Sequence, residues 1–161
     1  MLTRRNLLWS SCAAAAYPVI ALAEACGSEL SKDGQHSILM LNAACGDAQQ
    51  TNVFEPPILF AQPGDTVTFL PTDAGHNTAS KRGMIPDGAE PWNSSLDVAH
   101  TIELTVPGIY GYICVPHYEM GMVGLIVVGD AVNYESARRV RHPGKARQVF
   151  RDLLAEIEQP A

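Results

Sequence analysis

The chain has 161 residues, 47% of them hydrophobic and 17% charged, which suits one domain around one hydrophobic core, with a second core not expected at this length. Seventeen acidic residues against eleven lysines and arginines give a formal charge of −6, which sets the chain against a nucleic-acid binder that works by neutralising phosphates. Losing Arg4 and Arg5 with the leader described next takes the charge from −6 to −8.

Residues 1–23 have the layout of a signal peptide. Thr3-Arg4-Arg5-Asn6-Leu7-Leu8 gives a charged start with a twin-arginine spelling that ordinary export leaders also carry. Leu7 to Leu22 is apolar and Ala-rich, and small residues allow cleavage after Ala23 or after Ala25. The apolar run falls short of the ~20 residues a membrane span prefers and contains Pro18, so the mature protein is expected to have no span. Glu24 fits poorly in a lipid-attachment signal before Cys26. Export to an oxidising compartment leaves Cys26 and Cys45 as an even pair once Cys12 departs and Cys114 is assigned elsewhere. A disulfide between them is one reading and two free thiols the other.

After an N-terminal extension over 24–36, the pattern is all-β. Ser37–Asn42, Ile58–Phe60, Thr66–Leu70, His100–Val106, Ile109–Cys114 and Gly124–Val128 are short, apolar or β-branched, and separated by Pro/Gly turns. Thr101 to Val106 alternates with period two, as a half-buried strand does, and Pro107-Gly108 turns the chain into the strand that ends at Cys114. One domain is expected over 37–130. Beyond it, Ala146, Val149, Phe150, Leu153, Leu154 and Ile157 recur at helical spacing, so 131–161 is expected to form two short helices, broken near Pro143-Gly144, that pack on the same domain.

Chemistry concentrates in Cys114-Val115-Pro116-His117-Tyr118-Glu119-Met120-Gly121-Met122. Alone, Cys114 reads as a buried thiol and the methionines as core filler. Together on one tight loop, with a second imidazole from His76 on the turn-rich Pro71–Thr78 segment, they make the His₂Cys-plus-Met set of a blue-copper centre, with Met120 and Met122 both open as the axial donor. His36, His100 and His142 lack such company and read as solvated surface. Asp87 and Glu90 read as solvated loop charges. Zinc is disfavoured because structural zinc sites recruit Cys and His without Met. No open metal position and no acid/base pair suggests an enzyme, so electron carriage is the economical reading. A copper delivery or storage protein is the alternative, opposed by the scarcity of extra Met and His.

Phe54-Glu55-Pro56, Pro63-Gly64-Asp65-Thr66-Val67, Gly75-His76-Asn77, Met84-Ile85-Pro86-Asp87-Gly88-Ala89-Glu90 and the Cys-x-Pro-His…Met-Gly-Met loop occur in the order found in the pseudoazurins, and the stretch from about Ile38 to Asp130 resembles that family of small bacterial cupredoxins. The resemblance implies a cupredoxin-like Greek-key β-sandwich. It implies a single type 1 copper ion held by His76, Cys114, His117 and Met122, the axial Met lying five residues past the loop His. It also implies a role for Asn77 in tying the two ligand loops together with its N–H available to Cys114, beside Pro116, which has no N–H to offer. It places the His117 edge in an apolar docking patch with Met84, Pro116 and Met120. Partners would be transient redox proteins, copper nitrite reductase among them, met by a monomer. The chain departs from the family's ring of lysines: Ala74 and Ile113 stand where Lys is common, Glu119 adds an acid, and only Lys81 and Arg82 lie close in sequence to the site. A partner with a less acidic docking face is the expectation.

Overall fold

The computed structural model describes residues 31–158. The leader, Cys12, Cys26 and most of the 24–36 extension lie outside the described residues. Nine strands are described: β1 (Ser31–Lys32), β2 (Gln35–Ala44), β3 (Asp47–Glu55), β4 (Ile58–Ala61), β5 (Thr66–Pro71), β6 (Ala79–Ser80), β7 (His100–Glu103), β8 (Gly108–Ile113) and β9 (Val123–Val128). Two helices follow, α1 (Tyr134–Ala137) and α2 (Ala146–Glu158). One sheet runs β1-β2-β5-β7 with β3 also paired to β2, and the other runs β4-β9-β8-β6, giving the Greek-key sandwich.

The sheets close over an aromatic core. Phe54 meets Tyr112 edge to face at 4.8 Å, Phe69 meets Tyr112 at 5.0 Å, and Trp92 lies against Phe69 and Tyr110. Tyr110 fixes the Pro107-Gly108 corner, since its hydroxyl donates to Val106 O at 2.7 Å. Strand β9 is buried along its whole length: Ile126 and Val128 face the sandwich core, while Val123 and Leu125 join a second core with Ala146, Phe150, Leu153 and Leu154. A strand covered on both faces explains why Val123–Val128 is a continuous apolar run rather than an alternating one.

Several expectations change. Strand β3 was not anticipated, because Gln49-Gln50-Thr51 is an exposed polar stretch that borrows its conformation from pairing with β2. Strand β2 begins at Gln35, so the chain enters the sheet before residue 37, and β7 stops at Glu103, after which Leu104 bonds outside the ladder to Asp65 O. His36 is no surface residue: its Nε2 lies 2.8 Å from Asp65 Oδ2, with the side chain 10% exposed. Cys45, in the β2–β3 turn, is disulfide-bonded; Cys26, its expected partner, lies outside the described residues.

Met84 does not belong to the docking surface. It is fully buried in the second core, against a backbone approach that only glycine allows: a Cβ on Gly111 would fall 2.8 Å from Met84 Cβ. Asp87 and Glu90 are exposed, as read from the sequence.

His142 is also buried. Its ring stacks at 4.3 Å on Phe150, its Nδ1 is hydrogen-bonded to the Tyr118 hydroxyl at 2.7 Å, and its exposure is 6%. Burial, assisted by the Lys81 charge, pushes its pKa down to about 4. Between the unfolded value near 6.5 and about 4, the unfolded chain binds a proton that the folded chain refuses. Stability is therefore fully present above about pH 6.5 and falls as pH drops to about 4, by on the order of 3 kcal/mol. Asp65, held low first by the Gln62 N–H and then by His36, adds its own loss at lower pH. Urea unfolding across pH 4–7 should show a slope that His142→Phe flattens. Equal slopes in both proteins would mean that His142 is not the titrating group.

Candidate metal centre

Strand β8 carries Cys114 to the end of the sandwich, and β9 starts just after Met122. Ile113 pairs with Val123, so the loop between them is closed at its base. Inside it, Cys114 N–H donates to Met122 O at 3.0 Å, His117 N–H to Cys114 O at 3.2 Å and Met122 N–H to His117 O at 3.2 Å. These bonds fix where the ligand side chains leave the backbone. His76 comes from the loop after β5 and is fully buried.

The three donors converge. His76 Nδ1 lies 3.1 Å from His117 Nδ1, and Cys114 Sγ lies 3.8 Å from His76 Nδ1 and 3.6 Å from His117 Nδ1. Each separation is shorter than two metal–ligand bonds of about 2.0–2.3 Å laid end to end, so one ion can touch all three atoms. On the far side of the His76 ring, Nε2 donates to Asn42 Oδ1 at 3.0 Å, which leaves Nδ1 as a lone-pair donor. Asn42 is itself held, its N–H donating to Asp73 Oδ2 at 2.7 Å. Of the two methionines, Met122 is fully buried in the core cluster that contains Cys114, whereas Met120 is 51% exposed. The donor chemistry fits copper.

Electrostatics favour an uncharged pocket when no cation is present. Burial, and then the neighbouring His117, push the His76 pKa down, against opposing pulls from Asp73 and Asp97. Burial pushes the Cys114 thiol up, while backbone N–H groups of Asn77 and His117 directed at the sulfur favour the thiolate. Asn77 does more than this. Its Oδ1 accepts from Val115 N–H at 2.8 Å and its Nδ2 donates to Asn93 Oδ1 at 3.2 Å and Ser94 O at 3.1 Å, joining three loops.

Sequence reasoning missed Asn42 and Asp97, which lie 34 and 21 residues from His76 with no motif around them. Asp97 Oδ1 accepts from Gly75 N–H at 2.6 Å and His76 N–H at 3.2 Å, and Asp97 N–H donates to His76 O at 2.8 Å. The residue holds a left-handed backbone, φ 59°, which Asp tolerates better than most side chains. Its negative charge raises both the His76 and the Cys114 values.

Two substitutions test how these groups tune the centre. Asp97→Asn keeps an acceptor for both N–H groups and removes a charge that favours the oxidised state, so the reduction potential should rise by about 20–60 mV, taking ~59 mV per tenfold for one electron. No upward shift in voltammetry would remove Asp97 as a tuner. Pro116→Ala adds an N–H near the sulfur, and the potential should rise for the reason that hydrogen bonds to the thiolate reduce its donation. A lower or unchanged value would show that the new N–H points elsewhere.

Residues 42–129 match the family model for copper binding proteins of the plastocyanin/azurin family. The chain is 41% identical to the pseudoazurin of Paracoccus pantotrophus over 76% of its own length and 83% of that protein. Among solved structures it resembles pseudoazurin from Methylobacterium extorquens AM1, with a TM-score of 0.71 and 39% identity over 76% of this chain and 98% of that one. It also resembles native pseudoazurin from Hyphomicrobium denitrificans, with a TM-score of 0.72 and 33% identity over 78% and 99%. Sequence, fold and donor set agree, and the chain belongs to the pseudoazurins, blue-copper electron-transfer proteins of the plastocyanin/azurin family.

Proposed function

We propose that the protein is an exported periplasmic carrier of single electrons between redox proteins, with His76, Cys114 and His117 as the strong copper ligands and Met122 as the weak axial one. The observation that carries this reading is the convergence of two Nδ1 atoms and one sulfur within 3.8 Å. Bound copper supplies a one-electron couple between Cu(I) and Cu(II). The chain supplies rigidity: Asn42 and Asp97 hold His76, Asn77 ties Val115 to the other ligand loop, and the loop's own backbone bonds hold Cys114 and His117. Donors fixed in this way suit both oxidation states with little rearrangement.

His117 is the exit for the electron. It is partly exposed, with Val115, Pro116 and Met120 exposed beside it in the loop, an apolar surface suited to a brief, wet encounter. No described helix is long and apolar enough to cross a membrane. A monomer exchanging electrons with a copper nitrite reductase or a comparable partner is the physiological setting we propose, with a Cys26–Cys45 bridge stapling the N-terminal extension to the β2–β3 turn. We assign the protein no enzymatic activity.

Copper-loaded, oxidised protein should show an intense visible thiolate-to-copper band and a reversible one-electron wave, and Cys114→Ser should abolish the band. A colourless, electrochemically silent holoprotein, or a band that survives Cys114→Ser, would overturn the assignment.

A further inference from the structure

Charge is segregated in this molecule. Residues 31–133 carry three cations and eleven acids, whereas 138–151 carry Arg138, Arg139, Arg141, Lys145, Arg147 and Arg151 with no carboxylate. Three of these cations, Arg138, Arg147 and Arg151, rim a groove of about 430 Å³ along α2, floored by Tyr134, Phe150 and Leu154. An adjoining hollow adds Arg139 and Arg141. Glu135 pairs with Arg138 at 3.2 Å and Arg139 at 3.5 Å, exposed contacts within one helical turn that a competitor displaces at little cost. Among the described residues, no carboxylate lies within ion-pair distance of Arg141, Arg147 or Arg151. Arg147 is oriented, its Nε donating to His142 O at 3.3 Å.

The groove shares a wall with the copper loop. His142 lines both hollows, and its Nδ1 is hydrogen-bonded to the hydroxyl of Tyr118, the residue after His117. Lys145 extends the basic surface toward the ligand loop: its N–H donates to Glu119 O at 2.9 Å, and its side chain lies against Gly121.

We propose that this arginine groove docks an acidic segment of the redox partner, its carboxylates on Arg138, Arg147 and Arg151 and an apolar side chain over Phe150 and Leu154. The proposal rests on the electron-carrier reading and adds where, and through what chemistry, the partner is held. Charge complementarity selects the occupant. The rest of the described chain is acidic and repels an acidic partner, so attraction is confined to the tail and fixes the side from which the partner reaches His117. The groove's length and apolar floor exceed what a single inorganic anion would use.

Titration of ¹⁵N-labelled Cu(I) protein with hexaglutamate at low salt tests this. Saturable shifts should cluster over 134–154 and weaken in 0.15 M salt. Arg147→Gln/Arg151→Gln should reduce affinity about tenfold, the scale of two charge-assisted contacts, while a Lys32→Gln control should leave it unchanged. Absent shifts, or shifts confined to Val115 and Met120, would overturn the proposal. A low-salt dimer in sedimentation that hexaglutamate dissociates would also overturn it, assigning the groove to a second copy of this chain. The visible band of the same sample, once oxidised, reports on the carrier reading separately, so either idea can fail alone.

Discussion

Two imidazole nitrogens and a sulfur within 3.8 Å of one another are three lone-pair donors turned toward a common point. At most a proton or two can lie between them in the absence of a cation, so the arrangement is not one that side chains choose for themselves. It persists because the surroundings leave the donors no better option. The Nε2–H of His76 is committed to Asn42, its backbone is clamped from both sides by Asp97, and Cys114 and His117 leave a loop whose ends are bonded together. A site held in this way has its geometry set by the protein, which is the condition for exchanging an electron with little structural change.

The sandwich supplies that rigidity through its topology. Strands β8 and β9 are antiparallel and in register from Gly108↔Val128 to Ile113↔Val123, so the ligand loop is the hairpin end of the best-buried pair in the molecule. Parallel pairing of β4 with β9 covers the other edge of β9. The His76 loop reaches the same end by a different route, after β5, and is secured to the hairpin through Asn77 and through β6, which follows the loop and pairs with β8 at Ala79↔Ile113. Two loops far apart in sequence are thereby joined by one amide side chain whose donors and acceptor are all used. Its replacement by an apolar residue would leave Val115 N–H without that acceptor inside the loop, which is costlier than the loss of one surface contact.

Much of this was legible from the residues alone. The donor set is compact in sequence, and three of its four members share one loop, so the chemistry survives reading without a fold. Strands β4, β5, β8 and β9 announce themselves because their apolar content follows from burial. Strand β3 does not, since Gln49, Gln50 and Thr51 face solvent and their extended form is imposed by β2. Met84 and His142 were misplaced for a related reason. Each sits in a polar or turn-rich neighbourhood, and each is buried by elements packed against it from elsewhere, Met84 by the bare backbone at Gly111 and His142 by Phe150 and Tyr118. Asn42, Asp97 and the basic groove belong to the same class, being features of juxtaposition with no local signature.

The helical tail completes the account of the site because it braces the ligand loop on the side away from the metal donors. Gly144, with φ 49°, approaches so closely that a Cβ there would fall 2.4 Å from Glu119 O, the same carbonyl that accepts from Lys145 N–H. Gly121 packs against Val149, and Tyr118 is pinned by His142, which is itself stacked on Phe150. Three successive parts of the loop therefore lean on α2 and the segment before it, so the loop cannot shift without disturbing the second core. Contacts made by the tail's cations lie on the outer surface of this brace. A partner held there would press on an element whose inner face is already packed, and its binding energy would orient the encounter while the ligand geometry stayed as the sandwich sets it.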